Sequence, residues 1–218
     1  MLFIGCRQKT DSPSTDPAQN PYYQLYNQIY INRGQVPADT TKIKLQQYLK
    51  QFPENADAWM LAGNEAYVQA DFNLAIINYR YAIARQPGQS LYYSALGAVY
   101  NVQNEVDSAK KYLLKAISLG DTSAYTYLNT ALLYIKVNDK AKSLAWADST
   151  AARMTQTPSP VLSGGISFIY SKWGEEENSE KWFEKAVQLG LKDTFAFRQV
   201  LSGNKQLEVY YRETYPYL

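Results

Sequence analysis

From Asn55 onward the apolar residues of this chain recur at helical spacing, in runs separated by short polar turns. Trp59, Ala62, Gly63 and Ala66 share one face of a helix predicted over 56–70. Asp71 opens a turn, Ala75, Tyr79 and Ala82 mark a second helix, and Pro87-Gly88 stops it near Gln86. The same pattern is then written again. Trp59 recurs as Tyr93, Ala62 as Leu96, Gly63 as Gly97, Ala66 as Tyr100, Ala75 as Ala109, Tyr79 as Leu113 and Ala82 as Ala116, always 93 − 59 = 34 residues on. In each hairpin the small residues allow close approach: Gly63 is expected to face Ala75 and Ala82, with Trp59 and Tyr79 beside them.

The second copy runs from Ser90 to Gly120, with its turn at Asn104. A third starts near Ala124 with Tyr127, Ala131 and Tyr134, then Ser143, Ala147 and Thr150; Trp146 stands one place off the pattern. Pro158 and Pro160 lengthen the period and predict a hinge or kink. A fourth carries Ile166, Ser167, Tyr170, Ser179, Phe183 and Ala186. Gly164-Gly165 falls inside its first helix, so either that helix begins after them or a backbone comes close there.

This period, with large, small and aromatic positions in the first helix, Ala-x3-aromatic/Leu-x2-Ala in the second and Pro87 at the close, resembles the tetratricopeptide repeat. The resemblance implies an all-α, right-handed α-solenoid of helical hairpins with a C-terminal capping helix. Residues 1–21 then form a lipobox-like start and flexible tether, and 22–192 the solenoid, with units near 22–55, 56–89, 90–123, 124–159 and 160–192. Residues 193–218 are a capping helix and an aromatic tail that packs back. The first unit is degenerate, as terminal repeats usually are, with helices expected near 22–32 and 40–51.

Leu2-Phe3-Ile4-Gly5-Cys6 resembles the end of a bacterial lipobox, in which a small residue precedes a lipidated cysteine. A leader encoded upstream of Met1 would complete it. The stretch Arg7–Pro21 is polar and proline-rich and cannot repay its ordering entropy, which suits a tether. Arg7 stands where an aspartate would retain such a protein at the inner membrane, so the resemblance implies an outer-membrane lipoprotein facing the periplasm.

Composition narrows the chemistry. The chain has no histidine, which removes the usual general base and the commonest transition-metal ligand. One cysteine builds neither an internal disulfide nor a thiolate metal site. A formal charge of +2 gives no field for nucleic acid. The acidic run Glu175-Glu176-Glu177 suits a solvated helix start, and no phosphate-loop, dinucleotide or calcium-loop spacing occurs. The reading is a non-enzymatic protein with no cofactor and no metal.

Ligands of the repeats this chain resembles lie along the concave surface lined by the first helices. Transferring that register gives Tyr23, Tyr26, Asn27, Tyr30, Asn64, Tyr67, Asn101, Tyr125, Leu128, Asn129, Phe168 and Lys172. Such a lining of aromatic rings and amides fits an extended or helical segment of another protein. The function implied is a protein-binding scaffold, lipid-anchored at Cys6 to the bacterial envelope and aiding assembly of a multiprotein complex. Two alternatives stand beside it: a glycan- or cell-wall-binding accessory module, because tyrosines and amides also suit sugar rings, and a soluble cytosolic adaptor.

Overall fold

The structure, a computed structural model, describes residues 21–22, 24–25, 38–154 and 158–203. Among them are ten helices and no strand: α1 Ala38–Gln51, α2 Ala56–Val68, α3 Phe72–Arg85, α4 Ser90–Val102, α5 Val106–Ser118, α6 Ala124–Lys136, α7 Lys140–Arg153, α8 Pro160–Lys172, α9 Glu176–Gln188 and α10 Thr194–Leu201. The helices α2/α3, α4/α5, α6/α7 and α8/α9 form four hairpins. The expected fold class, an all-α solenoid of hairpins, is the one observed.

Each hairpin closes at one crossing point, and the sequence decides how. A Cβ on Gly63 would lie 2.4 Å from the Tyr79 ring, and one on Gly97 would lie 2.8 Å from Leu113 Cγ and 2.9 Å from the Leu113 backbone nitrogen. What comes nearest to Gly63 is the Tyr79 ring, which slides over the bare α-carbon. In the third and fourth hairpins, hydroxyl bonds join the residues equivalent to Gly63, Ala131 and Ser167, to those equivalent to Ala75, Ser143 and Ser179. Ser143 Oγ donates to the Ala131 carbonyl at 3.0 Å, while Ser167 and Ser179 exchange hydroxyl-to-carbonyl bonds of 2.8 and 3.0 Å. Each satisfies a buried polar group while holding the helices together.

The turn inside each hairpin is also repeated. Ala70, Asn104, Asn138 and Gly174 all have positive φ (58°, 63°, 55° and 70°), and the next residue's N–H reaches back to the carbonyl of Ala66, Tyr100, Tyr134 or Tyr170. This is a helix end closed by a left-handed residue, which favours glycine or asparagine. Asp71 and Asp139 then cap the second helix by accepting from Leu74 N and Lys142 N.

Between hairpins, each second helix packs on the next first helix; α4 also touches α6, and α6 touches α8, whereas the second helices make no comparable contact with one another. The array therefore curves with its first helices inside. Buried and part-buried polar bonds join successive units. Tyr92 OH donates to Asp57 Oδ1 at 2.6 Å, Ser94 and Thr126 share a hydroxyl bond of 2.6 Å, and Tyr170 OH donates to Asp148 Oδ1 at 2.5 Å. Asp121, itself buried, accepts from Thr126 Oγ1 and Ser123 N.

The two ends are closed differently. At the first, Leu25 and Leu45 cover Leu61; residues 21–22 and 24–25 are helical, and the rest of the helix expected near 22–32 lies outside the described residues. At the other, α10 packs on α8 and stacks Phe197 on Phe183 at 5.9 Å. The helix α8 begins at Pro160, before Gly164-Gly165, and what comes close to Gly164 is the Phe197 ring, 3.3 Å from a Cβ built there. The expected hinge falls partly on 155–157, outside the described residues, and α7 and α8 pack together on either side of it. The aromatic tail from 204 onward also lies outside them.

Ala70 alone among the four turn residues is neither asparagine nor glycine. Replacing Ala70→Gly is expected to raise stability by about 0.5–1 kcal/mol, read as a higher urea midpoint with unchanged slope.

The hydroxyls of Tyr92 and Tyr170 are pushed well above the ordinary tyrosine value of 10.0, by burial first and then by their bonds to Asp57 and Asp148. Their contribution to stability is complete below pH 10.0 and is lost as pH rises beyond it, because the unfolded chain ionises more readily. The fall in thermal midpoint between about pH 10 and 12 should become shallower in Tyr92→Phe with Tyr170→Phe, although that variant starts less stable at neutral pH.

Candidate functional site

A first helix has one face on its own second helix, and the opposite face looks into the curve of the array. In α4, Gly97 and Tyr100 meet Leu113 and Tyr112 of α5, while Ser94 and Asn101 turn to α6. What remains, at i, i+4, i+7 and i+11, is Leu91, Ala95, Ala98 and Val102. Leu91 is 50% exposed and Val102 39%, and the two alanines are partly exposed. This stripe is wholly apolar yet open to solvent.

The repeat carries the stripe to the neighbouring helices. On α6 the equivalent positions are Tyr125, Asn129, Leu132 and Lys136; on α2, Asp57, Leu61, Asn64 and Val68; on α8, two residues later, Val161, Gly165, Phe168 and Lys172; of these Leu61, Leu132 and Gly165 are buried. Val68 and Tyr125, 45% and 38% exposed, flank the α4 stripe diagonally. Asp57 lies at one corner of the face, and Lys136 and Lys172 lie at the opposite one.

The residues expected to line the groove divide into three sets. Tyr125, Asn129, Phe168, Lys172 and Asn64 lie on the inner stripe. Asn64 is already engaged, its Oδ1 accepting from Tyr79 OH at 2.9 Å, and the Lys172 ammonium sits over the Phe168 ring at 5.0 Å. Leu128, by contrast, is fully enclosed, and Tyr67 and Asn101 are nearly so. Tyr67 packs on Phe72 at 5.6 Å, and Asn101 Nδ2 donates to the Asn129 carbonyl at 3.0 Å while Lys136 Nζ donates to the Asn101 carbonyl. These three stand behind the stripe and hold its helices in place. Tyr23, Tyr26, Asn27 and Tyr30 lie outside the described residues.

The apolar residues of this face that the sequence reading did not single out are Leu91, Ala95, Ala98, Val102 and Val68. The signal was present: Tyr125 minus one period is Leu91, as 125 − 34 = 91. Plain aliphatics at that register carry no polar or aromatic signal in the sequence.

Among the described residues no group of three or more His, Cys, Asp or Glu could hold a metal ion, and no helix is long and apolar enough to cross a membrane.

Solved structures carry the same arrangement. The crystal structure of PilW, described as a widely conserved type IV pilus biogenesis factor, superposes with a TM-score of 0.68 at 18% identity, over 91% of this chain and 96% of that one. TTC0263, a thermophilic TPR protein of Thermus thermophilus, matches with a TM-score of 0.65 at 18% identity, over 85% of this chain and 94% of that one. The fold is a tetratricopeptide-repeat solenoid. PilF of Pseudomonas aeruginosa shares it as well, with a TM-score of 0.65 at 17% identity, over 89% of this chain and 91% of that one. No protein-family model matches the sequence, and no curated protein does.

Proposed function

We propose that this tetratricopeptide-repeat solenoid is a non-enzymatic scaffold whose inner face receives a segment of another protein. The observation that carries the reading is the solvent-exposed apolar stripe on α4, Leu91 to Val102, set opposite the face buried on α5. A helix or extended peptide with apolar residues along one side would cover that stripe and lose water from both surfaces. The stripe is aliphatic at its centre, and this favours a peptide over a glycan, which would call for exposed rings there. The proposed contacts are Leu91, Val102, Val68, Asn64, Tyr125, Asn129, Phe168 and Lys172.

The same reading places the protein at a bacterial envelope membrane through a lipid on Cys6, joined by the polar stretch that follows, and gives it a part in assembling a multiprotein complex. Two sequence features support the anchor: the apolar run leading to Gly5-Cys6 and the use of cysteine nowhere else. Likeness to a pilus biogenesis factor supports the assembly role.

Leu91→Arg with Val102→Arg should leave the helical circular-dichroism signal and melting midpoint nearly unchanged, since both side chains are exposed. Partners crosslinked in intact cells and identified by mass spectrometry should fall roughly tenfold in yield with that variant; an unchanged crosslinking pattern would remove the inner face as the site. Separately, the full protein expressed behind a secretory leader should take up labelled palmitate and sediment with membranes, and Cys6→Ser should abolish both. Sedimentation unaffected by Cys6→Ser would dismiss the anchor while leaving the groove untouched.

A further inference from the structure

Two arginines occupy the same place in two hairpins, Arg85 at the end of α3 and Arg153 at the end of α7, with 153 − 85 = 68 residues, or two periods, between them. Arg85 lies over the Trp59 ring at 5.3 Å, donates through Nε to the Pro53 carbonyl, and has Glu54 Oε2 at 3.7 Å. Arg153 lies over the equivalent Tyr127 ring at 3.4 Å, and its Nη1 donates to the Ser149 carbonyl at 2.9 Å. There the correspondence stops. Among the described residues Arg153 Nε is buried and donates to no acceptor, and no carboxylate lies within 4.0 Å of the guanidinium. The position equivalent to Glu54 is Thr122, as 54 + 68 = 122, which has no charge. The nearby Asp121 turns its oxygens to Ser123 N and Thr126 Oγ1 instead.

Beside Arg153 is a cavity of about 400 Å³ between the starts of α6 and α8, lined also by Thr122, Ser123, Tyr125, Ser159 and Leu162. Tyr125 OH and Ser159 Oγ are 3.5 Å apart, and Tyr125 belongs to the inner stripe. A partly buried guanidinium without a counter-charge, hydroxyl donors around it and room for a side chain together describe a receptor for a carboxylate.

We propose that this cavity binds an acidic side chain, aspartate or glutamate, of the segment seated on the inner face, the carboxylate taking beside Arg153 the part that Glu54 plays beside Arg85. The proposal deepens the groove reading and rests on it for the carboxylate's bearer. Its test uses small probes with no groove-binding sequence, so the two can fail separately.

The experiment is a titration of the isotope-labelled full chain with N-acetyl-glutamate N-methylamide, followed by amide NMR, with the glutamine and phosphoserine counterparts as parallel arms. The glutamate probe should shift signals at Ser123, Tyr125 and Ser159 with a millimolar dissociation constant, and the glutamine probe should not. Arg153→Gln should weaken the response roughly tenfold, and Arg153→Lys should restore part of it. Should Arg153→Gln fail to fold, Thr122→Glu provides the second variant: it restores a carboxylate in the chain itself and should block the probe while leaving Arg153 in place. Equal shifts with the glutamine probe, a response untouched by Thr122→Glu, or shifts only away from the cavity would overturn the proposal. Tighter binding of the phosphoserine probe would replace the carboxylate with a phosphorylated partner and overturn it as stated.

Discussion

Everything in this molecule depends on how closely two helices can pass at one point in each hairpin. Gly63 and Gly97 leave no room for even a methyl group against Tyr79 and Leu113, so the helices meet through ring and backbone. In the later hairpins the contact passes through hydroxyl-to-carbonyl bonds at Ser143 and the Ser167–Ser179 pair. One geometry is thus reached by two chemistries. The crossing fixes the angle of a hairpin, and with it which residues of the first helix turn inward.

Stacking the hairpins then requires each to bury its neighbour's flank. One apolar cluster joins the first two complete hairpins, from Ala56 to Leu113 with Leu133 of the third, and another joins the third and fourth, from Leu128 to Tyr170. A buried chain of polar bonds runs alongside these clusters from Ser94 through Thr126 to Asp121, and a part-buried bond joins Tyr92 to Asp57. Apolar burial supplies the bulk of the adhesion, but it tolerates sliding. A hydrogen bond between buried partners does not, because a shift of an ångström leaves both unsatisfied. The polar pairs therefore set the register between units.

Much of this was legible from residue types alone. The period of 34 and the turns at Asp71 and Asn104 follow from local spacing, since a helix displays its faces in the sequence. The inner face was less legible. Tyr67 and Asn101 look like contact residues on paper, yet one ring fills space against Phe72 and the other side chain ties α4 to α6. Whether a polar or aromatic side chain faces a ligand or a neighbouring helix depends on the rotation between hairpins, which no single repeat records. The same limit applies to Gly164, whose partner Phe197 lies 33 residues away on the capping helix, as 197 − 164 = 33.

The first helices α4, α6 and α8 touch in turn along the inside of the curve, while the outer helices rest chiefly on their own partner and on the next inner helix. A stack built that way behaves like a leaf spring clamped along one edge. In such a stack the outer edge can fan open or shut at a smaller cost in contact than the inner edge can stretch. Whatever settles along the clamped edge would thereby set the bend of the whole blade and the distance between its two ends, so that occupancy would be felt as a change of span far from the point of touch.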